Sequence, residues 1–80
     1  MNPEKLQLKG LLVESKKQYQ TLDMESSGLV ILIRALLNPY EETLKLETEK
    51  IIVAVERLHS IQNKMKALKE KIDKLEGEFV

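Results

Sequence analysis

In the C-terminal half of the chain, one position is apolar at every seventh residue, and no other feature limits the fold as strongly. A companion position three residues later is apolar from Ala54 onward, and Glu47 is its one polar member. Two apolar rows with this spacing form the seam of an α-helical coiled coil. We predict that the seam consists of Leu44, Ile51, Ala54, Leu58, Ile61, Met65, Leu68, Ile72, Leu75 and Phe79.

The residues that flank this repeat predict where its helix begins and ends. Asn38-Pro39-Tyr40-Glu41 offers a capping residue, a proline at the first helical position and a glutamate three residues after the cap. Gly77 is typical of the residue that follows a helix C-terminus. We therefore predict a turn at about Asn38 and one helix from about Pro39 to about Glu76.

The N-terminal half shows the same periodicity less regularly. It begins with a second Asn-Pro pair, Asn2-Pro3, and its seam residues then alternate in steps of four and three. Because this phase continues across Ser26-Ser27-Gly28, we predict one helix from about Pro3 to about Leu37. An internal glycine costs a helix about 1 kcal/mol, so the alternative is a three-helix arrangement broken near Gly28. The predicted row is Leu8, Leu12, Ser15, Tyr19, Leu22, Ser26, Leu29, Ile33 and Leu36.

The apolar stretch before Asn38 could also be read as a membrane span or a strand. It is shorter than the roughly 20 apolar residues that a span needs, and Arg34 interrupts it. A strand would find no second strand to pair with. We therefore predict an all-α fold, in which the whole chain forms one long antiparallel, coiled-coil-like helical hairpin.

A turn at Asn38-Pro39 would also set the register of the hairpin. With an equal rise per residue in both helices, residues pair when their numbers add up to about 77. Ile31 is then expected beside Leu46, and Met24 beside Val53. Ser15 and Gln62 are expected to form a polar layer that fixes the register.

Several apolar residues near the turn lie outside the seam and would remain exposed to solvent in a single hairpin. Two hairpins bury such wide apolar faces when they form a four-helix bundle. We therefore expect a homo-oligomer, a dimer of hairpins; a three-helix monomer broken near Gly28 could bury the same residues. The expected oligomer or partner interface comprises Val30, Ile31, Leu37, Leu46, Ile52 and Val53.

The charges suggest an orientation for such a dimer. Lysines gather toward the open end of the hairpin, whereas Glu41, Glu42, Glu47 and Glu49 gather near the turn. An antiparallel pair of hairpins sets each acidic end beside a basic one. Exposed ion pairs contribute at most about 1 kcal/mol each, so they select the orientation and do not drive assembly.

Composition and motifs argue against catalysis. The 13 basic and 13 acidic side chains cancel, and the chain has no cysteine, which excludes disulfides and thiolate metal sites. His59 is the only histidine, and no set of metal ligands converges on it. The three glycines form no phosphate-binding loop. We expect no enzyme activity, no metal, no cofactor and no small-molecule substrate.

The expected function is therefore that of a protein-interaction or assembly protein, acting as an adaptor, co-chaperone or structural subunit. Its partner would offer an amphipathic helix to the apolar surface. The alternative is a small nucleic-acid-binding regulator that uses Lys64, Lys66, Lys69 and Lys71 at the open end. The chain has no membrane-length apolar run, and its N-terminal residues show no apolar core of a secretory signal, so we expect a cytoplasmic protein.

Overall fold

The computed structural model describes residues 3–79 as two long α-helices, α1 (Pro3–Leu36) and α2 (Thr48–Gly77). A short 3₁₀ turn, Thr43–Lys45, lies between them. The helices run antiparallel and form a rod whose Cα atoms span 64 × 16 × 15 Å. The prediction of an all-α helical hairpin is confirmed. The first Asn-Pro pair includes Asn2, which lies outside the described residues.

Helix α1 is continuous across the two serines and the glycine that weaken it. The hydroxyls of Ser26 and Ser27 both donate to the carbonyl oxygen of Asp23, at 2.8 and 3.0 Å. Both hydroxyls thus bond to a carbonyl one turn back in the same helix, and they do not draw the backbone out of the helical conformation. Gly28 has no positive φ and continues the helix. The three-helix alternative is therefore wrong.

Helix α2 begins at Thr48, so the predicted start at Pro39 is wrong. The amide of Tyr40 donates to Asn38 Oδ1 at 3.0 Å, and the amide of Glu41 donates to the Asn38 carbonyl at 3.2 Å. Asn followed by Pro starts a β-turn as readily as it caps a helix, because the Asn side chain can bond the backbone two residues on. Here the pair closes a turn, and Glu47 occupies the N-cap of α2 without a side-chain capping bond; its Oε1 instead accepts from Lys50 Nζ at 2.9 Å.

The longer connection changes the register of the whole hairpin. Lys16 Nζ lies 2.9 Å from Glu76 Oε1, whereas the predicted register placed Lys16 beside Ile61. Residues 37–47 belong to neither α-helix, so α2 is displaced along α1. The predicted pairs Ile31 with Leu46 and Met24 with Val53 are therefore wrong, and so is the polar layer of Ser15 with Gln62.

The interface between the helices coincides with the apolar rows. In α1, every residue of the row from Leu8 to Leu36 is at least half-buried, and Val30 is the one other described α1 residue that is not exposed. In α2, the residues that are not exposed are the seam positions from Ile51 to Leu75. Leu44 is 100% exposed, because the heptad phase continues into the connection but the helix does not. Phe79 follows the end of α2 and is 42% exposed.

Helix α2 ends without the glycine cap that the sequence suggests. Gly77 is the last residue of the helix and has no positive φ. The amides of Glu78 and Phe79 donate to the carbonyl oxygens of Leu75 and Glu76, at 3.2 and 3.1 Å. The last turn therefore tightens toward 3₁₀ geometry, which satisfies these terminal carbonyls without a left-handed residue.

Candidate interaction surfaces

Exposed apolar residues and fully buried residues are concentrated in different halves of the rod. We call residues 27–60 the tip half, and residues 3–26 with 61–79 the open half. The tip half has eight large apolar residues that are exposed, whereas the longer open half has five. Four of the five buried residues of the described chain, Ser15, Ile61, Ile72 and Leu75, lie in the open half, and Ala54 alone lies in the tip half. The half with more exposed apolar residues thus has fewer fully buried ones.

A groove runs between the helices on one side of the tip half. Leu29, Leu32 and Leu36 of α1 face Val53 and Ala54 of α2 across a space of about 510 Å³. Glu49, Lys50 and Arg57 supply its charged walls. We call this surface the Leu32 groove. Its apolar floor with a charged edge is the form of groove that accepts one face of an amphipathic helix.

A second apolar surface lies on the opposite side of the tip half. The Lys16–Glu76 ion pair marks this side at the open end. Residues seven apart share a helix face. Steps of seven lead from Lys16 through residue 23 to Val30 and Leu37, and from Glu76 through residues 69 and 62 to Val55.

Ile52 precedes Val55 by three residues and shares its side of α2. We call these four residues, Val30, Leu37, Ile52 and Val55, the Val55 face. Val30 is half-buried, and the exposed fractions of Leu37, Ile52 and Val55 are 51%, 56% and 45%. The four side chains are aliphatic, which suits them to pack against another apolar surface, and Arg34 borders them because it lies between Val30 and Leu37 on the same side.

The six residues of the expected interface do not lie on one surface. Val53 lines the Leu32 groove, whereas Val30, Leu37 and Ile52 belong to the Val55 face. Ile31 is 68% exposed and belongs to neither surface, and Leu46 is half-buried in the connection. The sequence analysis missed Leu32 and Val55. Both are apolar residues outside the seam, so the criterion that selected the six applies to them as well.

The four lysines considered for nucleic-acid binding are divided between two sides of α2. Lys64 lines a groove with Glu14 and Lys17, whereas Lys66 and Lys69 line another with Tyr19. Lys69 Nζ lies 3.3 Å from Asp73 Oδ1. Lys71 lies seven residues after Lys64 and shares its helix face. The lysines therefore do not form one continuous cationic patch.

Within residues 3–79, no group of three or more His, Asp or Glu side chains is placed to hold a metal ion. His59 is exposed on α2. No helix in this part of the chain is long and apolar enough to cross a bilayer.

The sequence matches no protein-family model, and neither a curated protein nor a solved structure matches it significantly. The two apolar surfaces are therefore interpreted from their own chemistry.

Proposed function

We propose that the protein is a non-enzymatic interaction and assembly protein, an oligomeric helical hairpin that serves as an adaptor, co-chaperone or structural subunit. Its working form is a dimer of hairpins. One apolar surface of the tip half is covered by the second copy, and the other accepts an amphipathic helix of a partner protein.

The observation that carries this proposal is the uncovered tip half. Fully burying an aliphatic side chain contributes about 1.5–3 kcal/mol. Covering the three half-exposed residues of the Val55 face, together with the remaining surface of Val30, would thus contribute several kcal/mol, which is comparable with the net stability of about 5–15 kcal/mol typical of a domain. Small chains commonly gain missing stability by association.

The Leu32 groove supports the partner-binding part of the proposal. Leu32 and Val53 are 47% and 65% exposed, so an incoming helix would meet side chains that the hairpin itself does not cover. Lys50 and Arg57 stand beside them and can bond polar groups at the edge of that helix.

Sedimentation equilibrium at micromolar concentration tests the dimer. We expect the mass of two chains, with dissociation on dilution. The melting temperature, followed by circular dichroism, is expected to rise with protein concentration because association stabilises only the folded state. A monomer whose melting temperature does not change on dilution would contradict the proposal.

A nucleic-acid-binding regulator remains the second candidate. The observation that favours it is that Arg57, Lys64 and Lys71 follow one another at seven-residue steps, and none has a described carboxylate within ion-pair distance. The test is a titration with duplex and single-stranded RNA and DNA at two salt concentrations. Tight binding that weakens steeply with salt, and that disappears when Lys64, Lys66, Lys69 and Lys71 are changed to Glu, would favour this candidate.

A further inference from the structure

We propose that the second copy docks antiparallel on the Val55 face, and that the two hairpins overlap through their tip halves alone. The twofold axis passes between Val30 and its counterpart and between Val55 and its counterpart. This inference rests on the self-association proposed above and adds its surface, orientation and overlap.

The charges of α2 select the Val55 face over the Leu32 groove. In an antiparallel twofold contact, a residue before the axis meets the residue equally far after it in the second copy. On the groove side, Lys50 would then face the second copy's Arg57, twice in each dimer. On the Val55 face, Val55 meets its counterpart and Thr48 meets the second copy's Gln62, so no like charges face each other. Like charges across an interface oppose association.

The register of the hairpin is consistent with this axis. The residues that line the Leu32 groove centre on Leu32 in α1 and on Val53 in α2, so these two are about level along the rod, whereas Lys16 and Glu76 meet only through the ends of two long side chains. Val30 lies two residues before Leu32, and Val55 lies two residues after Val53. Because the helices run antiparallel, two residues back in α1 and two residues forward in α2 both lead away from the turn by the same distance. Val30 and Val55 are therefore also level. One axis can thus pass beside both.

When the two hairpins overlap only through their tip halves, apolar surface packs against apolar surface. A full antiparallel overlap would place the Val55 face against the charged part of the same side, which contains Lys16, Lys69 and Glu76. With the axis at Val30 and Val55, each Val55 face instead packs on its counterpart. The lysines and Glu76 of the open end stay outside the apolar contact, where desolvating them costs nothing. Asp23 and Arg34 share this side of α1 and lie inside the overlap; Arg34 comes within about 5 Å of the level of the second copy's Asp23, so these opposite charges can pair at its edge.

Charge complementarity at the edges of the overlap supports the same arrangement. Counting equal rises from the axis, Glu47 comes level with the second copy's Asn63. The connection ahead of it, residues 41–44 with Glu41 and Glu42, comes level with the second copy's residues 66–69, which include Lys66 and Lys69. Lys66 is exposed and has no described carboxylate within ion-pair distance. The acidic turn thus meets an available cation in each copy.

The overlap is large enough for a specific but weak dimer. It extends about 33 Å, counting about eleven residues on each side of the axis at 1.5 Å per residue. Over a rod about 16 Å wide, this buries on the order of 1,000 Å² in total, at the lower limit for a specific interface. Two rods of 64 Å joined in this way form a particle about 95 Å long.

A matched pair of substitutions tests the surface. Val55→Glu and Val53→Glu place the same charge on exposed valines of α2 two residues apart, one on the Val55 face and one in the Leu32 groove. We expect Val55→Glu to raise the dimer dissociation constant by about tenfold or more in sedimentation equilibrium, and Val53→Glu to leave it within about twofold of the original. Val30→Glu, in the other helix, should act like Val55→Glu. Circular dichroism checks that each variant remains helical.

Orientation and overlap are tested by crosslinking and scattering. The chain has no cysteine, so Val55→Cys introduces a single thiol, which we expect to form a disulfide-linked dimer on mild oxidation. Small-angle X-ray scattering should give a length near 95 Å. A dimer as short as one hairpin, one without the crosslink, or one broken by Val53→Glu and not by Val55→Glu would overturn this inference alone. A monomer at micromolar concentration would overturn the proposed self-association as well.

Discussion

Ser15 is the most deeply buried residue of the described chain, with 2% of its surface exposed. Ser15→Ala should change the free energy of unfolding by less than about 1 kcal/mol, since alanine is the better helix former and fits the same space. Ser15→Asp should lower that free energy by about 3 kcal/mol, because the carboxylate would be buried without a partner. The matched control is the exposed Ser60, where the change to Asp should cost no more than about 0.5 kcal/mol. Urea unfolding followed by circular dichroism measures all three; equal losses at the two serines would mean that Ser15 is not buried in solution.

Gly10 and Gly28 weaken α1 without a compensating role inside the hairpin. A Cβ atom built at either glycine meets nothing within 4 Å, and neither has a positive φ. Gly10→Ala and Gly28→Ala should therefore each raise the free energy of unfolding by about 0.5–1 kcal/mol. Gly77→Ala, at the frayed end of α2, is the control and should have a smaller effect. If either internal substitution lowered the stability in thermal melts, another chain would have to pack closely against that glycine.

At the scale of the helix, the contact between α1 and α2 depends on a few apolar positions of α2. Ile61 and Ile72 are 4% and 6% exposed. Ile61→Lys should lower the free energy of unfolding by several kcal/mol, because a lysine there has to bury its charge or open the contact. Ile72→Lys should cost less, since the side chain lies nearer the helix end and can reach water. The exposed Glu56→Lys is the control, and melting temperatures equal to that of Ile61→Lys would contradict the position of Ile61 in the interface.

The sequence predicts the helices better than it predicts their connection. Periodicity identifies the inward residues from Leu8 to Leu36, because burial depends on the face of a helix and that face repeats along the chain. It fails at Leu44, which keeps the heptad phase but lies in the connection and is fully exposed. The failure arises at Asn38-Pro39, whose chemistry suits both a helix cap and a β-turn.

The contacts between the helices are harder to predict than the helices themselves. Each residue added to the connection shifts every contact between α1 and α2, so the Lys16–Glu76 ion pair could not be derived from the spacing. For the same reason the six interface candidates, chosen near an assumed turn, divide between two surfaces. What the sequence does contain is the excess of apolar residues around the turn, which is a property of composition and does not depend on register.

At the scale of the whole molecule, the rod should be least stable where it is most apolar. The tip half contains one of the five fully buried residues of the described chain, so in a single hairpin most of its inward side chains are only partly shielded from water, which favours local opening. Amides of residues 27–36 and 49–58 should therefore exchange hydrogen faster than those of residues 61–75 when the protein is diluted to monomers. Dimer formation should slow exchange in the tip half most, because the Val55 face lies there. Hydrogen-exchange mass spectrometry at a high and a low protein concentration measures the difference.

Val55→Glu should give the fast tip-half exchange at both concentrations, whereas Val53→Glu should keep the concentration dependence. Tip-half amides as well protected as the open half in the diluted protein would contradict the asymmetry of burial and remove the reason for covering the tip.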